Sequence, residues 1–323
     1  MNWIELKEIF EQEINIAKEK YPDIQNHFSD RCIGIVSKEE WEKVRTTHIA
    51  ILGAGGLGMP LLELLVRSGA ETLTIVDKDI IDPTNMNRVQ FAFPFTYDQK
   101  KTEVAEIFLR LINPNVKIRK FETVTSENVA EIFDGVEVAT LTLDGLHSSL
   151  IASKYMHEHG IPFIEGWALA GVLNVRHFLP DGPSYEEVYN LNISKDYDAI
   201  TAQEWKTLNT DFFMALDKLS REIANHYTSD GLRFMLDGGP RRSFPAFVWI
   251  ISTIMASELI FKLILKRNFP QKTAPNILLY DYLCYNDLGT VNQKKNLREQ
   301  ISGIISNGGS AKEKTTAIMK LFL

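Results

Sequence analysis

Between Gly53 and Lys101 a run of glycines is followed by two acids, an arginine and paired lysines, a set able to neutralise a polyphosphate while it reacts. Gly53-Ala54-Gly55-Gly56-Leu57-Gly58 keeps side chains small where a backbone must approach an anion closely. Asp77 comes roughly 20 residues after the loop, the interval at which a carboxylate meets a ribose, and Asp79 follows it. Read only that far, the pattern fits NAD, FAD or an adenine nucleotide equally well. Asn85, Arg88, Lys100 and Lys101 add what hydride transfer does not need. Converging cations stabilise the charge that grows on phosphates when a carboxylate attacks the α-phosphate and pyrophosphate leaves. Arginine offers a fixed fork of donors and lysine a mobile point charge.

The elements that must hold these residues can be read from the flanking sequence. His48 to Leu52 reads as a buried parallel strand, Met59 to Ser68 as the helix that starts on the glycine loop, and Leu73 to Val76 as a second strand ending in Asp77. The helix start would present free N–H groups to an anion. Val104, Ile107, Phe108 and Leu111 mark a helix after Lys101, and the apolar run Val136 to Leu143 leads to Asp144. Further strands are expected at Pro162 to Glu165 and Leu173 to Phe178. The fold class is α/β, a Rossmann-like doubly wound sheet.

At these positions the chain resembles the ThiF/HesA/MoeB family, relatives of the ubiquitin-activating enzymes that adenylate carboxylates with ATP and magnesium. The resemblance rests on G-x-G-G-x-G, D-x-D, N-x-x-R, K and a later D, over about the first half of the chain. It implies that Gly53, Gly55, Gly56, Gly58, Asp77, Asp79 and Asn85 bind the nucleotide, Asp77 through its ribose. It implies that Arg88 and Lys101 act on the phosphates, that Arg31 reaches the nucleotide of a neighbouring subunit, and that Asp144 holds magnesium. Where the family often has Asp-Asn and Arg-Gln, this chain has Asp144-Gly145 and Arg88-Val89, which removes no charge.

Cysteine usage narrows the chemistry. With only Cys32 and Cys284, the paired C-x-x-C motifs that hold zinc in many relatives are missing, so zinc is not expected. A thiolate relay needs an accessible cysteine in the substrate half. Cys284, within the strand-like Leu279 to Tyr285, reads instead as a small buried hydrophobe. An acyl-adenylate attacked directly, by cyclisation, dehydration or amide formation on a peptide or small protein, is therefore the expected reaction. Within the family such chemistry occurs in the maturation of microcin- and pantocin-type antibiotics. Alternatives are a dehydratase acting on threonylcarbamoyl-adenosine in tRNA, an NAD(P)- or FAD-dependent oxidoreductase, and a non-catalytic scaffold subunit.

Bulk properties fit a cytoplasmic enzyme. The 323 residues are 45% hydrophobic, and two cysteines exclude a disulfide framework. A net charge of −7 weighs against general nucleic-acid binding, which needs a basic footprint. The longest apolar stretch, Phe244 to Leu265, is interrupted by Glu258 and Lys262. It reads as a buried helix rather than a membrane span, and in the family the equivalent helix packs in a homodimer.

The chain divides into a helical arm (1–46), an ATP-binding region (47–166), a substrate, crossover and dimerisation region (167–292) and a tail (293–323). Arg241 and Arg242 lie in a loop read as a solvated turn, with the gripping of an acidic substrate as the sharper alternative. His157 and His159, two apart on a helix, face different ways and would not share a metal. His147, close to Asp144, reads as a structural or surface histidine.

Overall fold

A computed structural model describes residues 2–169, 172–217, 244–267, 276–281 and 286–292. Its frame is one eight-stranded sheet. In chain order the strands are β1 (His48–Leu52), β2 (Thr72–Val76), β3 (Lys117–Phe121), β4 (Val138–Leu141), β5 (Phe163–Leu169), β6 (Val172–Phe178), β7 (Asn276–Asp281) and β8 (Asn286–Asn292). Their spatial order is β3-β2-β1-β4-β5-β6-β7-β8. Strands β1 to β5 pair in parallel, and from β5 onward the pairing is antiparallel.

Because side chains alternate along a strand, β1 serves two cores at once. Ile49 and Ile51 join one apolar cluster, Ala50 and Leu52 the other, and all four are fully buried. This is why the parallel strands read as continuous apolar runs. The first cluster is covered by α4 (Gly58–Arg67), α5 (Lys101–Ile112) and α10 (Pro245–Glu258), which continues as a π-helix through Leu259–Ile264. The second is covered by α6 (Val129–Ile132), α7 (Leu146–Glu158), α8 (Tyr185–Tyr189) and α9 (Ala202–Asp217). The sheet with helices on both faces is the doubly wound α/β class read from the sequence.

Residues 1–46 hold three helices, α1 (Trp3–Lys20), α2 (Ile24–Ser29) and α3 (Lys38–Thr46), with turns and an isolated bridge between Ile33 and Val36 separating the last two. Asn2 with Glu5 and Ser37 with Glu40 form capping boxes that satisfy the first free N–H groups of α1 and α3. Trp41 of α3 then lies against Gly69, where φ is +101° and an added Cβ would come within 2.7 Å of the indole.

Two expected strands are longer or shorter than the sequence suggested. The one read as Pro162 to Glu165 extends as β5 to Leu169, through the boundary placed at residue 166, because β6 folds back on it as a hairpin. The apolar run Val136 to Leu143 is a strand only over β4, and Thr142 to Asp144 leave the sheet as a loop. Helix Pro245–Ile264 has the length and apolarity to cross a bilayer, yet half of it is buried against β5, β6 and α4. Cys284, Arg241, Arg242 and the tail at 293–323 lie outside the described residues.

Candidate active site

The glycine loop leaves the end of β1 and turns into α4, and its glycines do different work. At Gly53 φ is +105° and a Cβ would meet the Thr142 carbonyl oxygen at 2.6 Å. At Gly58 a Cβ would fall 1.7 Å from the Gly53 carbonyl oxygen. These two shape the loop and close it onto β4. Gly55 faces open space, with nothing within 4 Å of its Cβ position, and Gly56 passes beneath the Arg88 side chain. These two form the surface a ligand would touch.

That surface floors a cleft of about 400 Å³. Asp79, Asn85, Arg88 and Lys101 line one side of it, Thr142, Leu143 and Asp144 the end of β4, and Gly166, Trp167 and Ala168 of β5 the other side. Of the residues singled out in the sequence, Gly55, Gly56, Asp79, Asn85, Arg88, Lys101 and Asp144 thus meet in one place. An adjoining recess is bounded by Lys78, Ile80 and Asp82, and shares Asp79, Asn85 and Lys101 with the cleft.

Asp77 lies beneath this surface and is only 9% exposed. Its Oδ2 accepts the Ala54 N–H at 2.7 Å and its Oδ1 the Asp79 N–H at 2.9 Å, so the carboxylate ties β2 to the loop. Burial pushes its pKa above the ordinary aspartate value, against the pull of Lys101, whose Nζ is 3.9 Å away. Asp79, more than half exposed at its side chain, is the acid on the wall.

The cations are held in place by local structure. Lys101 is buried at the start of α5, and its Nζ donates to Asp79 Oδ2 at 2.8 Å. An antiparallel bridge between Ile80 and Lys100, with the Lys101 N–H on the Asp79 carbonyl at 3.0 Å, fixes that register. Arg88 Nη1 donates to the Thr84 carbonyl (2.9 Å) and Asn87 Oδ1 (3.0 Å). The Trp249 indole of α10 donates to the Arg88 carbonyl at 2.9 Å. Asn85 is buried, its Oδ1 facing the Asp82 N–H at 3.4 Å.

Arg31 is exposed in the turn after α2 and is not among the residues lining this cleft. His147 pairs with Asp198 at 3.3 Å and sits edge-on to Trp205, while His159 stacks on Tyr155 at 3.8 Å. Among the described residues no group of three or more His, Cys, Asp or Glu side chains forms a metal cluster. Asp79 and Asp144 are the two carboxylates that line the cleft.

Sequence reading missed Thr142, Trp167 and Val248. Thr142 stands two residues before Asp144, and its hydroxyl donates to the carbonyls of Leu52 (2.9 Å) and Gly53 (3.1 Å), closing the loop. Trp167 carried a signal, a large aromatic after the glycine at the end of a strand. Val248 carried none, since only the packing of α10 on α4 brings it to Gly56.

The ThiF family model matches residues 29–300. The SAMP-activating enzyme E1 of Haloferax volcanii is 28% identical over 151 residues, covering 46% of this chain and 56% of that protein. Across such curated relatives the match spans from 24% to 57% of their own length. E. coli MccB, solved with selenomethionine MccA, superposes with a TM-score of 0.57 at 16% identity, over 87% of this chain and 73% of the other. E. coli tRNA N6-threonylcarbamoyladenosine dehydratase, TcdA, superposes at 0.54 and 17% identity over 76% of this chain and 97% of the other. At such identities these two likenesses establish the fold.

Proposed function

The chain belongs to the ThiF family, and from that premise we propose that it is an ATP-dependent adenylyltransferase acting on the carboxylate of a peptide or small protein. The observation that carries this reading is the meeting of Gly55, Gly56, Asn85, Arg88, Lys101 and Asp144 on one cleft. The loop amides and the start of α4 receive the phosphates. Asp79 is the carboxylate placed for a ribose, and Asp77 acts through the loop whose Ala54 N–H it binds.

In the reaction a carboxylate oxygen of the substrate attacks the α-phosphorus of ATP. The bond to the bridging oxygen breaks, and pyrophosphate leaves with that electron pair. Arg88 and Lys101 stabilise the charge that builds on the phosphates, and removing one such group commonly costs about 10²–10³-fold in rate. Asp144 is the residue that would hold magnesium, which when bound neutralises phosphate charge. The acyl-adenylate is then attacked by a nucleophile of the substrate, and AMP departs.

A peptide or small-protein substrate is supported by the fold shared with MccB, a microcin C7 biosynthetic enzyme solved in complex with N-formylated MccA. The net charge of −7 argues against tRNA, the substrate class in the name of the second structural neighbour. A homodimer in which Arg31 reaches across to the partner's nucleotide is part of the same reading. It is supported by the exposure of Phe244 (61%), just before α10, and of Trp249 (42%) on that helix. Isotope exchange between pyrophosphate and ATP, run with peptides, small proteins and tRNA, tests the proposal. We expect peptide-dependent exchange that Arg88→Ala lowers at least a hundred-fold. Exchange that survives Arg88→Ala removes that residue's role, and tight NAD binding without exchange removes the adenylation reading.

A further inference from the structure

The strand order fixes which end of the cleft takes the acyl group, given the adenylation reading above on which this inference rests. Asp79 follows β2, the phosphate loop follows β1, Asp144 follows β4, and the next strand across the sheet is β5. Ribose, phosphates and metal therefore run in that order toward β5, and the attacking carboxylate must arrive from its side. The residues that β5 contributes to the cleft are Gly166, Trp167 and Ala168, with Leu143 beside them. The indole of Trp167 is the largest side chain of this set, and it leans on Phe212 at 5.8 Å between ring centroids.

Behind Trp167 lies a buried polar node for which the phosphate chemistry has no use. Glu165, on the same face of β5, is 1% exposed. It accepts the Tyr185 hydroxyl at 2.6 Å and the Tyr189 hydroxyl, and both tyrosine rings pack on Phe212, at 6.1 and 4.6 Å between ring centroids. Directly opposite on β6 is Arg176, also 1% exposed, whose guanidinium lies 5.0 Å from the Tyr189 ring centre. Burial pushes the Glu165 carboxyl up, while Arg176 and the hydroxyls oppose it. Burying charge is costly unless it is paired and hydrogen-bonded, and the three guanidinium nitrogens of Arg176 have no hydrogen-bond partner among the described residues. A node that costs stability and holds two tyrosines against Phe212, the ring on which Trp167 leans, is best explained by the need to fix that indole.

We propose that Trp167 is the specificity-determining surface of the acyl end, that Glu165, Tyr185, Tyr189 and Arg176 are its positioning residues, and that the residue bearing the activated carboxylate has an uncharged side chain packed on the indole. On β5 the substrate meets an aromatic face and a methyl group, neither of which can solvate a charge. Specificity here is a difference between substrates, so its signature is a ratio.

The full chain is tested by pyrophosphate–ATP exchange with four N-acetyl dipeptides, acetyl-alanyl followed by leucine, asparagine, aspartate or lysine, at millimolar concentration. The leucine and asparagine peptides should show KM values at least ten-fold below the aspartate and lysine peptides. Trp167→Ala should bring that ratio within two-fold, and Trp167→Phe should keep it. Glu165→Gln combined with Arg176→Met strands no buried ion and so guards against simple misfolding. It should raise the peptide KM at least five-fold more than the ATP KM and shift the tryptophan emission maximum. Four equal KM values, a preference for the charged endings, a ratio that survives Trp167→Ala, or no exchange with any of the four while calorimetry shows ATP bound would each overturn the acyl assignment. A chain that does not bind ATP removes the adenylation reading, and this proposal with it.

Discussion

Replacing single glycines of the loop should separate folding from binding. At Gly53 an alanine would sit at φ +105° with its Cβ 2.6 Å from the Thr142 carbonyl oxygen, and that oxygen belongs to the backbone at the end of β4. A side chain in so sparsely populated a conformation costs about 1–3 kcal/mol, and overpacking against a rigid neighbour about 1–3 more. Gly53→Ala should therefore lose about 2–6 kcal/mol, seen as a fall in Tm of roughly 3–9 °C for a chain of this size. At Gly55 a Cβ meets nothing within 4 Å. Gly55→Ala should leave Tm unchanged or slightly raised, because it restricts the unfolded chain. It should weaken ATP binding at least ten-fold, about 1.4 kcal/mol, because the methyl occupies the cradle. Thermal unfolding by circular dichroism and ATP titration by calorimetry read the two effects. A Gly53→Ala protein within 2 °C of its parent, or a Gly55→Ala protein that binds ATP as its parent does, would refute this division of labour.

Asp77 should leave a mark on the pH dependence of stability. Its folded pKa is raised above 3.8 chiefly by burial, so the folded chain holds that proton more tightly than the unfolded one. Its contribution is fully present below 3.8 and declines as pH rises through the folded pKa. Asp77→Asn should therefore gain on the parent in urea melts as pH rises through that interval, and a constant difference between the two would count against the assignment. Thr142→Val leaves the Leu52 and Gly53 carbonyls without the hydroxyl and should cost about 1 kcal/mol in the same melts. Gly166→Ala drives a Cβ to within 2.2 Å of the Met255 sulfur, since β5 and α10 touch there. It should destabilise by about 1–3 kcal/mol, and adding Met255→Ala should recover part of the loss.

The first half of the site could be read in the sequence because it is local. β1, the loop, α4 and β2 follow one another within His48 to Asp77. Asp144 was legible because an apolar strand points at it. The other wall was not, for a physical reason: Val248 and Trp249 reach Gly56 and Arg88 across more than 150 residues of chain, through helix packing that leaves no periodic trace. The position of Asp77 beneath the surface depends on which N–H groups fold over it, and a spacing rule does not contain that. Glu165 and Arg176 looked like ordinary strand residues, and only the pairing of β5 with β6 places them opposite each other.

The change from parallel to antiparallel pairing at β5 divides the sheet into parts with unequal freedom to vary. The crossovers from β1 to β2, from β2 to β3 and from β4 to β5 carry the glycine loop, the segment from Asp79 to Lys101, and Asp144, so an altered length there displaces part of the phosphate site. Beyond β5, strand β6 returns by a hairpin, and the growing edge holds none of those groups. Insertions and substitutions on that side can remodel what is activated while the machinery that activates it stays fixed.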